Sequence, residues 1–170
     1  AVRDAYLHPG LEAEAAFAER LDRVRQGGRL ARTNATASAA RYRMEGGVPT
    51  GRLTALEAIL ANSHRFIHAV MALEAGLYRS RPVPAREGFR EFANAADTTL
   101  YFLAAYLRGA AAGASDLPDL REIQQALASS GNAREQRYAL VNAETDRITN
   151  SLNTLAIEIV QWLGDPAYIR

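Results

Sequence analysis

The chain contains no cysteine and no lysine. Without cysteine it can form no disulfide, no thiolate metal site and no cysteine nucleophile. Long apolar runs are missing as well, because the longest uncharged and mostly apolar stretch, residues 98–107, has only ten residues. That is about half of the length that a bilayer crossing needs. We therefore expect no transmembrane helix in this sequence, and we expect no signal peptide.

The motifs of common enzymes are also missing. The sequence has no glycine-rich phosphate loop, no paired catalytic carboxylates and no Ser/His/Asp arrangement. We therefore expect a protein that is not an enzyme and that uses no cofactor.

Alternating β-strand patterns are not sustained anywhere, and turn-forming residues gather in a few widely spaced groups. The segments between them are rich in Ala, Leu, Glu and Arg, which are strong helix formers. Apolar residues recur in these segments at steps of three, four and seven, as in Leu53, Leu56 and Leu60. The sequence therefore predicts an all-α protein, with residues 1–170 as a single helical-bundle domain.

Four long helices and one short helix are predicted. The long helices cover residues 11–45, 52–79, 85–112 and 133–163, and the short one covers residues 117–128. Asp116 is the predicted N-cap of the short helix and Pro118 lies in its first turn. Asn132 and Glu135 resemble a capping box at the start of the fourth long helix. Because long helices joined by short loops pack antiparallel, we expect an up-down bundle of four long helices plus one short connecting helix.

A glycine pair, Gly27-Gly28, lies in the middle of the first predicted helix. Each glycine costs a helix about 1 kcal/mol relative to alanine. The pair indicates either a break in the helix or a tight contact with a neighbouring helix, and the sequence leaves both open.

Positive charge is concentrated near one end of the chain, although the formal net charge is only +1. Between residues 20 and 43 there is one acidic residue, Asp22. Such a segment is typical of a surface that meets an anionic partner, and its ordinary alternative is a solvated helix face. A third interpretation is a cytoplasmic segment next to membrane helices, because such segments carry an excess of Arg and Lys. No aromatic residue lies between residues 20 and 40, which disfavours nucleic acid as the partner. The arginines of this segment are Arg20, Arg23, Arg25, Arg29, Arg32, Arg41 and Arg43.

Two histidines, His64 and His68, are spaced i, i+4 and so lie on one face of the second predicted helix. This spacing allows both to share a metal ion. No third ligand is placed beside them by the sequence, and two isolated histidines are more often partly buried or surface polar residues. We therefore expect no metal site, and His64 and His68 are the candidates that would hold one.

A polar strip lies along the fourth predicted helix, with members at steps of four, three and four. One interpretation is the exposed face of an amphipathic helix. The other is an interface with a partner or a second subunit, held by hydrogen bonds from amide side chains. The strip consists of Asn142, Asp146, Thr149 and Asn153.

Four stretches together resemble the cytosolic C-terminal region of the fusaric acid resistance (FUSC) family, also called aromatic acid exporters. They are residues 31–35 with Ser38, residues 88–93 continuing to 107–108, residues 117–121 and residues 144–151. The resemblance covers most of the chain from about residue 29 onward and rests on the order and spacing of loose helical patterns. One segment departs from it, because residues 43–49 keep only an outline of the acidic, proline-containing turn that members often have.

This resemblance implies a non-catalytic, soluble domain on the cytoplasmic face of the bacterial inner membrane, C-terminal to membrane helices. Residues 1–45 would be its membrane-proximal long helix. The implied role is assembly, gating or the entry of small aromatic or organic acids into an efflux transporter, and it is not assigned to particular residues.

The resemblance also implies partners. They are the transmembrane domain of the same polypeptide and, for the full transporter, a periplasmic adaptor protein. The arginine segment adds anionic lipid headgroups as a candidate partner, and the apolar helix faces add a second copy of the chain. No nucleic acid is among them. Two alternatives stay open: a free-standing helical module that binds nucleic acid or an acidic partner through the segment from Arg20 to Arg43, and a metal-binding helical bundle.

Overall fold

A computed structural model of the chain describes residues 2–7, 14–79, 88–110, 117–130 and 138–164. Within these ranges the secondary structure is helical throughout, with six α-helices and no β-strand. The all-α prediction is therefore confirmed, as is the helical bundle. The helices are α1 (Val2–Leu7), α2 (Glu14–Met44), α3 (Thr50–Arg79), α4 (Phe89–Leu107), α5 (Leu120–Ser129) and α6 (Ala139–Gly164).

The short helix α1 is not part of the sequence prediction, yet it contributes to the core. Its Tyr6 is buried, and the phenol hydroxyl donates a hydrogen bond of 2.7 Å to the carbonyl oxygen of Leu73 in α3. The Tyr6 ring also lies 5.5 Å from the ring of Phe89, at the start of α4. Tyr6 therefore joins α1 to the ends of two longer helices.

Helix α5 begins at Leu120, three positions later than predicted. Its N-cap is Asp119, whose carboxylate accepts hydrogen bonds from the backbone N–H groups of Arg121 and Glu122. The predicted N-cap, Asp116, is therefore wrong and lies outside the described residues. Pro118 precedes the cap and so is not in the first turn of the helix. Asp119 takes the role because it stands directly before the free N–H groups of the first turn.

Helix α4 ends at Leu107, earlier than the predicted residue 112. Gly109 adopts a φ of +96°, a left-handed conformation that ends helices, and its N–H donates to the carbonyl oxygen of Tyr106. The capping box predicted at Asn132 and Glu135 lies outside the described residues.

The longest helix, α2, continues through Gly27 and Gly28 without a break. A Cβ atom built on either glycine has no atom within 4 Å. Both expectations for this pair, a helix break and a tight helix contact, are therefore wrong. The glycines lie on an exposed part of the helix.

Helices α3 and α6 form the most extensive contact in the bundle and run antiparallel. Gly76 near the end of α3 lies against Leu140 at the start of α6, and Arg52 at the start of α3 lies 5.9 Å from the Trp162 ring near the end of α6. A Cβ atom at Gly76 would lie 2.5 Å from Cδ2 of Leu140. The absence of a side chain at this position therefore permits the close approach of the two helices.

Helices α4 and α5 also pack against α6, and α5 packs against α4. The side chains between them are almost completely withdrawn from water, with Leu152 at 0% and Tyr106 at 1% exposure. Apolar residues of α1, α3, α4, α5 and α6 belong to this one core cluster, and none of the α2 side chains that the structure describes belongs to it. No described helix is both long enough and apolar enough to cross a membrane.

Candidate interaction surface on helix α2

Helix α2 lies on the outside of the bundle, where its main contact is with α3. Between Ala16 and Met44 only Leu21 and Ala39 are buried. These two residues are about five helical turns apart, so they share one face of α2. Because the remaining positions are mostly exposed, this helix adds little to the core and presents most of its surface to other molecules.

The N-terminal half of α2 is held to the bundle by ion pairs. Arg25 contacts the carboxylate of Glu74, whose side chain is only 7% exposed. The same guanidinium lies 3.1 Å from Asp22, and Arg20 lies 3.2 Å from Asp4 in α1. Glu74 is the only one of these acids that is buried. Among the described residues, its pairing with Arg25 is therefore the ion pair between α2 and the bundle that has the most buried carboxylate, and removing one partner would leave a buried charge.

The C-terminal half of α2 is held more weakly. Arg43 lies 3.0 Å from Glu57, and both side chains are about half exposed. The Tyr42 ring lies 6.5 Å from the ring of Trp162 in α6. Since residue 25 meets residue 74 and residue 43 meets residue 57, α2 and α3 run antiparallel.

The face of α2 that points away from the bundle carries uncompensated positive charge. Six exposed residues recur along it at steps of three and four, and we call them the outer strip: Arg23, Gln26, Leu30, Thr33, Ala37 and Arg41. Arg29 is exposed beside the strip. No acidic residue occurs in α2 after Asp22. Arg41 donates a hydrogen bond of 3.2 Å to the neutral Ser38 hydroxyl, which leaves its charge unbalanced.

The seven arginines predicted as one basic segment therefore divide into two groups. Arg20, Arg25 and Arg43 are used inside the protein, as ion-pair partners of its own carboxylates. For the other four, no ion pair is found among the residues that the structure describes. Of these four, Arg32 is half-buried, whereas Arg23, Arg29 and Arg41 are exposed. Only these last three arginines are free to meet an anionic partner directly.

The predicted metal candidates lie on α3. His64 is half-buried, and its Nε2 atom is buried without a hydrogen-bond partner among the described residues. His68 is exposed. Within the described ranges, no group of three metal-ligating side chains is gathered anywhere. The two histidines therefore gain no third protein ligand there.

The polar strip on α6 is divided between the core and a contact with α5. Thr149 is completely buried, and its hydroxyl donates to the carbonyl oxygen of Thr145 at 2.9 Å. Asn142, Asp146 and Asn153 are half-buried. The interpretation of this strip as an exposed helix face is therefore wrong at Thr149, while a partner interface on the others stays a prediction.

Arg121 in α5 is the residue that organises this contact, and the sequence reasoning missed it. Its guanidinium donates to Asp146 at 2.6 Å and also contacts Asn150. Asn150 in turn donates to Asp146 at 3.1 Å. The sequence offered two signals of this contact: acidic and amide side chains two turns into α6, and a lone arginine at the start of α5. That they meet depends on how the two helices pack.

Comparisons of the chain with protein-family models, curated proteins and solved structures returned no match.

Proposed function

We propose that this chain is a helical domain of a bacterial FUSC-type efflux protein, located on the cytoplasmic face of the inner membrane and C-terminal to membrane helices. In this proposal the domain acts by contact and not by catalysis, in the assembly or gating of a transporter for small aromatic or organic acids. Helix α3 runs antiparallel to both α2 and α6. In a bundle whose four long helices simply alternate in direction, the second and the fourth would be parallel, so the predicted up-down order is not kept between α3 and α6.

The placement of α2 is the observation that carries this proposal. It is a continuous helix of 31 residues, about 46 Å long, on the outside of the core, and none of its described side chains belongs to the core cluster. Such a helix is poorly explained as a stabilising element, because it buries only two side chains after residue 16. Its length and its position on the outside suit a helix that links the core to another part of the protein.

The ion pairs between α2 and α3 give this link a mechanism. Arg25 is anchored to the buried Glu74, and Arg43 is paired with Glu57 near the other end of the helix. A shift of the N-terminal end of α2 is therefore passed to α3, and from α3 to α6 through their extensive contact. In the proposed transporter, α2 relays position between the membrane helices and the bundle.

Deletion of residues 46–170 from the full-length protein tests this role. We expect cells that carry the deletion to accumulate an aromatic carboxylate that the intact protein exports, while the truncated protein still inserts into the membrane. The matched control is Arg65→Gln, which removes an exposed charge from α3 without touching α2. Unchanged efflux after the deletion would contradict the proposal.

A further inference from the structure

We propose that the outer strip of α2, together with Arg29, binds the headgroups of an anionic phospholipid leaflet. This inference rests on the proposed function, since it names the partner of the helix that links the core to the membrane.

Charge complementarity is the first argument for this partner. Arg23, Arg29 and Arg41 are exposed, and no carboxylate pairs with them among the described residues. They are spread over about 27 Å of a straight helix, from residue 23 to residue 41. A flat sheet of phosphate groups allows all of them to make contact at once, whereas a small anion meets only one.

The apolar residue in the middle of the strip is the second argument. Leu30 is 63% exposed and lies between the arginines on the same face of α2. At a membrane surface such a side chain enters the boundary between headgroups and acyl chains. A nucleic-acid backbone offers it no comparable contact, and α2 has no aromatic side chain between residues 20 and 40 on which bases could stack. Lipid therefore fits the strip better than nucleic acid does.

The expected strength of binding to an anionic leaflet follows from the number of exposed arginines without an ion pair. Each basic residue near an anionic leaflet strengthens binding by about fivefold. Three such residues together contribute roughly 100-fold. This attraction is screened by salt, so vesicle binding should weaken steeply as ionic strength rises.

Co-sedimentation of the chain with vesicles tests the inference. The vesicles contain phosphatidylcholine and phosphatidylglycerol in a ratio of about 2:1, and vesicles of phosphatidylcholine alone serve as the neutral comparison. We expect binding to the anionic vesicles only. The variant Arg23→Gln/Arg29→Gln/Arg41→Gln should bind them roughly 100-fold more weakly. No binding to the anionic vesicles at low ionic strength would overturn the inference.

A matched control removes the same charge from elsewhere. Arg65, Arg90 and Arg108 are exposed on α3, on α4 and just after α4. Changing all three to Gln should weaken vesicle binding by less than about threefold, because they lie off the strip. An equal loss in both triple variants would overturn the assignment to α2. Circular dichroism of both variants checks that their helix content is unchanged.

A further variant separates lipid from other anionic partners. Leu30→Ser keeps the charge and removes the apolar contact, so it should weaken vesicle binding several-fold while leaving binding to duplex DNA unchanged. If duplex DNA binds the chain more tightly than the anionic vesicles do, the strip belongs to a nucleic-acid site and the lipid inference fails. Loss of efflux on deleting residues 46–170, combined with no vesicle binding, would retain the proposed domain and reject only its lipid contact.

Discussion

Replacing Arg25 with alanine should release the N-terminal half of α2 from the bundle while the core stays folded. Glu74 is buried in α3, and Arg25 is the charge that it meets there. Removing one partner of a fully buried ion pair costs about 3–5 kcal/mol. The Arg25 side chain is 42% exposed, so water can reach the pair and replace part of the lost interaction. We therefore expect a loss of about 2 kcal/mol.

Hydrogen exchange followed by mass spectrometry measures this loss locally. A loss of about 2 kcal/mol corresponds to roughly 30-fold faster exchange of the α2 amides if α2 opens as a unit. The amides of α6 around Leu152 should change much less, because no described side chain of α2 belongs to the core cluster. Faster exchange of similar size in α6 and α2 would refute the view that α2 is a separately attached helix.

Two further variants serve as controls for this experiment. Arg43→Ala breaks a pair whose side chains are 45% and 56% exposed, so it should cost no more than about 1 kcal/mol. Adding Glu74→Leu to Arg25→Ala removes the unpaired carboxylate and should restore most of the lost stability. Equal losses in the two arginine variants would contradict the special role of Glu74.

Three other predictions concern the bundle itself, and urea unfolding measures the free energy of unfolding for each. Leu152→Ala should cost about 2–5 kcal/mol because the side chain is completely buried, whereas Ile157→Ala, at 57% exposure, should cost well under 1 kcal/mol. Gly27→Ala should stabilise the protein by up to about 1 kcal/mol, because residue 27 lies in a helix and faces open space. Gly88→Ala should destabilise the protein by about 1–2 kcal/mol, because the φ of residue 88 is +87°. Burial raises the pKa of Tyr6 to about 12. The contribution of Tyr6 to the free energy of unfolding is therefore complete below about pH 10 and is lost as the pH rises through 12, by at most about 2.7 kcal/mol. Tyr6→Phe should remove that loss, and an unchanged alkaline profile would contradict it.

The helical core could be predicted from the sequence because its signal is local. Apolar residues repeat along α3, α4 and α6 with the period of a helix, and that period is set by the chain itself. The short α1 was missed because six residues hold less than two turns of pattern. The cap of α5 was misplaced because Asp116 and Asp119 both fit a cap by type, and only the backbone geometry distinguishes them.

The candidate surface was predictable only in part. The concentration of arginine in α2 is visible in the sequence, but the sequence cannot tell which arginines are already paired. Arg25 and Glu74 are 49 positions apart, so their contact depends on the packing of two helices. The same holds for Arg121 and Asp146, which are 25 positions apart. Leaving out the three paired arginines and the half-buried Arg32 reduces a segment of seven candidates to three exposed arginines.

The coding sequence upstream of Ala1 tests most directly the central claim that α2 leads into a domain carried on membrane helices. We predict several hydrophobic stretches there, each of about 20 residues and therefore long enough to cross a bilayer. A start codon immediately before Ala1 would contradict the claim.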